Sequence, residues 1–404
     1  MKNAIVLVVD RLNAGFLGPY GNTWVETPGF NRLAAESALF EFALSDSPDL
    51  PTVYRSLWSG LHAMSGPREL PGLADQSTAA GIHTTLITDA EDLAEHPLAG
   101  GFQERIVLPG RHASAVAAEI GETRLARLLA EAVNWLEREP SPRPFLLWIH
   151  ARGMQGPWDA PADFREQFAD EDDPPPPQFV EPPVRWVEPD EDPDRILGIM
   201  QAYAGQVSLL DACLDVFLDA YDGLRIRSET LLVVTSPRCY PLGEHRRIGP
   251  VDQAIYGEHL HVPCLVRYPN GDDATVRCHE LVQPSDIHAT LREWLSSCVP
   301  SASGWGQSLT AMLRGQAQAD RACAVAGSFR ALRTPAWFLH CEGDRQQELF
   351  AKPDDRWEAN EVSDRCRDLL PQLTAIMNEF ELAAKAGSTS HLSPMPHIAK
   401  HGLD

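Results

Sequence analysis

The stretch NAIVLVVD, residues 3–10, is an unbroken apolar run rich in β-branched side chains and closed by a carboxylate. An alternating pattern would mark a strand with one wet face. A continuous run marks a strand buried on both faces, which belongs in the middle of a parallel sheet. Further runs of the same kind follow at His83–Thr88, Phe145–His150, Thr230–Ser236 and Pro263–Tyr268. Helical periodicity separates them over Asn31–Phe40, Arg124–Glu139, Arg195–Leu224 and Pro284–Leu295, the last with Ser285 as its expected cap. Strands alternating with helices predict an α/β fold: a doubly wound, mostly parallel sheet with helices on both faces. In such sheets ligands sit beyond the carboxyl ends of the strands. Asp10, Thr88, His150 and Ser236 fall at those ends, so the loops that follow them are expected to share one pocket.

Composition narrows the classes of function. The chain has 404 residues, 44% of them hydrophobic, and a net charge of −23. That charge disfavours a broad nucleic-acid or anionic-membrane surface, because both need clustered Lys and Arg. The first apolar run, Ala4–Val9, is too short for a signal core, and no run approaches spanning length. A soluble, cytoplasmic protein is expected. The eight cysteines form no CxxC pair and read as reduced thiols, several of them buried.

Asp170–Asp194 is acidic and proline-rich, which excludes helix interior and central strand. It reads as a solvated surface loop, with a lid or a partner-docking segment as the alternative. After about residue 315 the pattern shifts to short antiparallel strands and then a helix over Asp364–Ala384. The expected organisation is an α/β domain over 1–315 with the acidic insertion at about 170–194, a small antiparallel sheet plus helix over 316–386, and a flexible tail over 387–404.

The order of the segments carries a resemblance. NAIVLVVDRLNAGFLGPYGNTWVETPGFNRLAAESALFEFALS (3–45), RSLWSGLHA (55–63), AGIHTTLIT (80–88) and HARGMQGPWDAPADFREQF (150–168) come first. TSPRCYPLGEH (235–245), IYGEHLHVPCLVRYP (255–269), GQSLTAMLRG (306–315) and QELFAKPDDRWEANEVSD (347–364) follow. Together they resemble the sulfatase family of the alkaline-phosphatase superfamily over nearly the whole chain. The resemblance implies a sulfuric ester hydrolase fold, a divalent cation (usually calcium) held by carboxylates, and a cysteine or serine converted to formylglycine. Phosphate-cleaving relatives use serine or threonine instead.

Carried over position by position, that machinery is depleted. The adjacent acids after the first strand correspond to Asp10 and Arg11, and the later acid pair to Pro237 and Arg238. Asp10 is the sole retained metal-ligand position, and guanidiniums cannot ligate a cation. The nucleophile falls on Leu50 when counted back from Gly60 and on Asp49 when counted forward from Ser47. Thr52 is the nearest hydroxyl, with helix capping as its bland reading, and Ser56 reads as packing. The family's lysine and histidine after the TTLIT strand correspond to Asp89 and Glu91. A loop histidine corresponds to Gln155, and a later lysine to Asp252, with Arg246 and Arg247 near enough to substitute. His245, His259 and His261 read as structural rather than as a metal cluster. Glu244 and Glu258 read as surface or hydrogen-bonded loop carboxylates.

These assignments predict a closed, metal-free pocket of Asp10, Arg11, Leu50, Asp89, Gln155, Arg238 and Asp252. Guanidiniums would stand in for the metal charge, and Asp49, Asp89 and Asp252 would complete one ion-pair network. No cofactor is expected, or calcium if the ancestral site persists. A small anion such as sulfate or phosphate is expected if one arginine stays unpaired, and a protein partner through the acidic loop. The leading expectation is a non-catalytic homologue, a pseudoenzyme. The alternatives are a hydrolase with a rebuilt site, in which Asp49 or Thr52 attacks and Arg11, Arg55 and Arg238 stabilise charge, and a protein-interaction subunit.

Overall fold

The computed structural model describes residues 2–66, 68–110, 115–138, 143–295, 305–343 and 346–403. Its strands are β1 (Asn3–Val9), β2 (Ala38–Leu44), β3 (His83–Thr88), β4 (Glu104–Val107), β5 (Phe145–Ala151), β6 (Arg185–Trp186), β7 (Thr230–Thr235) and β8 (Arg247–Ile248). Next come β9 (His261–Val262), β10 (Cys264–Arg267) and β11 (Arg277–Val282), then β12 (Ala322–Ala326), β13 (Phe329–Arg333), β14 (Trp337–Glu342) and β15 (Gln346–Ala351). The large sheet runs β11-β2-β10-β7-β1-β5-β3-β4, with β9 added on β2, and β12–β15 form a separate antiparallel sheet.

β1 lies where its sequence puts it, between β5 and β7 and parallel to both. Every residue of it is buried. Ile5, Leu7 and Val9 face one core with the helices Arg124–Arg138 and Pro193–Asp222. Ala4, Val6 and Val8 face the other, with Leu50–Ser59, Leu73–Ala79 and Pro284–Leu295. Each fully buried Val, Leu or Ile contributes about 1.5–3 kcal/mol relative to exposure. The doubly wound arrangement is therefore the one that satisfies this strand.

Several expectations are corrected. The helix expected over Asn31–Phe40 spans Pro28–Ala35 and stops at Ser37, whose Oγ donates back to Leu33 O at 2.7 Å. Ala38–Phe40 instead opens β2, where pairing with β10 and β11 overrides local helix preference. The sheet is mostly parallel, as expected, with β10 antiparallel to both its neighbours. Ser285 does not cap its helix. Pro284 is already helical, Asp286 Oδ2 accepts from Gln283 N at 2.8 Å, and Ser285 Oγ has no partner among the described residues. The last long helix begins at Leu370, with turns before it.

The acidic segment is pinned rather than freely solvated, although many of its residues are exposed. β6 pairs with β8, Val180 and Val187 are buried, and buried Arg165 donates to Pro177 O at 2.5 Å and Phe179 O at 2.8 Å. The segment read as a flexible tail carries a short helix, His397–His401, and Trp337 Nε1 donates to Ile398 O at 2.8 Å. Among the described residues no helix is long and apolar enough to cross a membrane. Cys213, Cys239, Cys264, Cys278, Cys323 and Cys341 are buried free thiols, Cys366 is half-buried and free, and Cys298 lies outside the described residues.

Candidate functional site

The site grows from the end of β1. Asp10 N donates to Ala151 O at 2.9 Å, which extends the sheet by one residue and fixes the carboxylate just beyond it. The chain then turns sharply, with Arg11 at φ +62°. Gly153 packs against this turn at φ +50°, and a Cβ there would meet Asp10 O at 2.9 Å and Val9 Cγ1 at 2.5 Å. Only glycine lets the two loops cross so closely.

The loop after β7 brings Arg238 onto Asp10. Arg238 Nε reaches Oδ1 at 2.9 Å and Nη2 reaches Oδ2 at 2.8 Å, while Nη1 donates to Pro48 O at 2.9 Å. Burial alone would raise the Asp10 carboxyl, but the Arg238 guanidinium outweighs it and holds the group below its usual range. Arg11 is equally buried and less well matched. Its Nε donates to Gln155 Oε1 and its Nη1 to Cys239 O at 3.0 Å. No carboxylate lies within ion-pair distance of it among the described residues. Burial, with repulsion from Arg238, pushes Arg11 down to about 9.

This donor set does not fit calcium. Hard cations need several oxygen ligands. Both Asp10 oxygens already accept from a guanidinium, and Arg11, Pro237 and Arg238 supply no side-chain oxygen at the other expected positions.

The elbow is resolved as a helix start. Asp49 is the N-cap of Leu50–Ser59, and its Oδ2 accepts from Thr52 N at 3.0 Å and Thr52 Oγ1 at 2.5 Å. Leu50 does not belong to the pocket: it is buried in the apolar core against β1 and β10. Arg55 is committed to a loop, its Nη2 donating to His62 O, Ala63 O and Ser65 O. Ser56 Oγ donates to Asp46 at 2.6 Å, in keeping with a packing role.

The remaining carboxylates do not form one network. Asp89 accepts from Arg152 N at 2.8 Å and pairs with Arg124 Nε at 3.3 Å. Asp252 pairs with Arg247 at 2.8 Å. Asp49 caps its helix. Each finds the nearest donor on its own loop or wall, which suffices to compensate a partly buried carboxylate.

Nor is the pocket closed. Arg11, Asp49, Thr52, Arg55, Arg238 and Asp252 line a cleft of ≈ 1040 Å³ whose far wall is Val325–Gly327 of the small sheet. Asp89 and Gln155 line a neighbouring cavity of ≈ 640 Å³, walled by Val180, Glu181 and Pro182 of the acidic segment. The Arg11–Gln155 hydrogen bond joins the two. His150 lies beneath, its Nδ1 at 2.5 Å from Tyr54 Oη, and burial pushes its ring down to about 4, so it is neutral at pH 7. That pair was missed from sequence, although His150 at a strand end was a usable signal.

Two of the three histidines of the 245–261 region share Glu258: His245 Nδ1 lies 3.0 Å from its Oε1 and buried His259 Nδ1 lies 3.7 Å from the same oxygen, while His261 Nε2 bonds Glu41 O at 2.8 Å. Neither ring nitrogen of His259 has a hydrogen-bond partner among the described residues.

Comparisons with known proteins agree with this architecture. A family model described as sulfatase matches residues 2–297. No curated protein matches the sequence. Among solved structures, the phosphonate monoester hydrolase of Agrobacterium radiobacter is similar at 17% identity and a TM-score of 0.76, over 97% of this chain and 96% of that one. The phosphonate monoester hydrolase from Silicibacter pomeroyi is similar at 15% identity and a TM-score of 0.75, over 100% of both chains. A protein solved with its substrate D-glucosamine-2-N,6-O-disulfate has 15% identity and a TM-score of 0.79, over 95% of this chain and 98% of that one. At these identities the likeness speaks to fold.

Proposed function

The chain belongs to the sulfatase family, and we propose that it is a non-catalytic member that holds a small anion in place of an ester it once cleaved. One observation carries the reading: the Arg238 guanidinium lies bidentate on Asp10, where a cation would need free oxygens. The elbow supports it, because its two candidate nucleophile positions hold a capping Asp49 and a core Leu50.

The anion follows from charge. Two guanidiniums line the cleft, buried Arg11 and half-buried Arg238, and the one carboxylate beside them, Asp10, is paired with Arg238 alone. Sulfate or phosphate there would offset the excess positive charge through charge-assisted hydrogen bonds. Free thiols at every described cysteine support a reducing, cytoplasmic setting.

The test is turnover of aryl sulfate, aryl phosphate and phosphonate monoesters, with and without calcium, beside metal analysis of the purified protein. The expected result is background hydrolysis and no stoichiometric metal. Turnover that rises with protein concentration overturns the proposal.

One observation favours a second reading, a hydrolase with a rebuilt site. Thr52 Oγ1 donates to Asp49 Oδ2 at 2.5 Å on the open cleft, a hydroxyl beside a carboxylate that can take its proton. Turnover abolished in Thr52→Ala would select this reading. A protein partner docking on the acidic segment is probed by deleting exposed residues 170–172 and measuring assembly.

A further inference from the structure

A separate cavity of ≈ 290 Å³ lies between the large sheet and the small one; Cys239, whose carbonyl accepts from Arg11, lines it. Its walls include the rings of Phe16, Phe42 and Phe338, with Trp357 at the rim. Several charged side chains also face it, and most are matched. Lys352 Nζ pairs with Glu358 Oε1 at 2.7 Å. Glu258 pairs with His245 at 3.0 Å.

Three have no ion-pair partner among the described residues: Glu244, Arg333 and, stacked on Trp357 at the rim, Arg356. Glu244, half-buried, accepts from Leu242 N at 2.6 Å and has no ion-pair partner among the described residues. Arg333, 7% exposed, donates only to the carbonyls of Thr334 and Trp337 and likewise lacks a carboxylate partner. Glu244 and Arg333 do not pair with each other. An uncompensated buried charge is costly. Burial, with repulsion from Glu258, raises the Glu244 carboxyl, and burial pushes Arg333 down to about 10. Both face the same aromatic-walled space.

We propose that this cavity binds a small aromatic amino acid, its ammonium on Glu244, its carboxylate on Arg333 and its ring among Phe16, Phe42 and Phe338. A zwitterion supplies both missing counter-charges at once, which neither a simple anion nor a simple amine does. The volume is at the small end of ligand sites, the size class of a single amino acid. Arg356, stacked 5.1 Å from the Trp357 ring at the rim, adds a second positive group on the entry side.

The experiment is isothermal titration of the full chain with L-phenylalanine, 3-phenylpropanoate and phenethylamine, which keep both charges, only the carboxylate or only the amine. Saturable binding of phenylalanine is expected, with each single-charge analogue weaker by about tenfold or more, the scale of a lost charge-assisted hydrogen bond. Glu244→Gln, which keeps an oxygen for Leu242 N, is expected to weaken phenylalanine by a similar factor and leave 3-phenylpropanoate unchanged. Arg333→Met is expected to abolish binding of 3-phenylpropanoate. If Arg333→Met does not fold, Glu244→Gln with the two analogues carries the test alone. No saturable phenylalanine binding, an analogue that binds as tightly as phenylalanine, or a Glu244→Gln protein with undiminished affinity for it overturns the proposal.

Discussion

Arg238 meets Asp10 edge to edge, nitrogen to oxygen twice over, and a third nitrogen of the same guanidinium holds the carbonyl of Pro48. One side chain therefore ties the ends of β1 and β7 to the elbow before the helix Leu50–Ser59. It does so in a place too dry for either charge to be left alone.

Removing that side chain strands a buried carboxylate. Arg238→Met is expected to destabilise the protein by about 3–5 kcal/mol, the usual cost of breaking one half of a buried pair. The double variant Asp10→Asn, Arg238→Met should recover a large part of that loss. Chemical denaturation of the three proteins measures both numbers.

Two carboxylates should bend the stability profile in opposite directions with pH. Asp10 is held below its ordinary value, so its contribution is complete above the unfolded carboxylate pKa, about 3.9, and is lost as pH falls through the depressed folded value. Asp286, where burial raises the carboxyl to about 7, binds its proton more tightly when folded. Its contribution is therefore present in acid and is lost as pH rises from about 4 through that raised value. Asp286→Asn should flatten the decline in unfolding free energy across that interval, whatever its absolute stability.

At the elbow, capping and catalysis make different demands. Asp49→Ala should cost about 1 kcal/mol through the lost N-cap. Thr52→Ala keeps the backbone N–H that Asp49 accepts from, and should cost less. Urea midpoints for the two variants give the comparison.

Arg11 is the residue that an anion should report. Sulfate is expected to raise the melting temperature above that in chloride at matched ionic strength, and Arg11→Met should erase the difference. An equal response in the variant would assign the effect to general salting rather than to the cleft.

The central fold was legible because its signals are local. NAIVLVVD declares a strand wet on neither face, and Arg124–Arg138 declares its apolar side by spacing alone. That a guanidinium would answer Asp10 was also legible, but not that Arg238 rather than Arg11 supplies it, because that depends on β7 lying beside β1. Other features depended on partners far along the chain. Ala38–Phe40 continues a helical pattern until β10 and β11 claim it as an edge-to-edge neighbour. Leu50 sits one position after the capping Asp49, and nothing local says which of the two turns inward. Asp89 finds Arg124 across 35 positions, whereas Asp252 finds Arg247 only five away, a pairing that sequence could have offered. The cavity that joins Glu244 to Arg333 has no local trace, because it exists only once two sheets meet.

The indole of Trp337 gives its hydrogen to a carbonyl 61 positions downstream. The small sheet can pair its strands long before that acceptor has been synthesised, but its apolar interior stays open until the later segment arrives, since Ala399 is part of the same cluster. Closure of the small sheet's apolar core therefore rests on residues far along the chain from its strands.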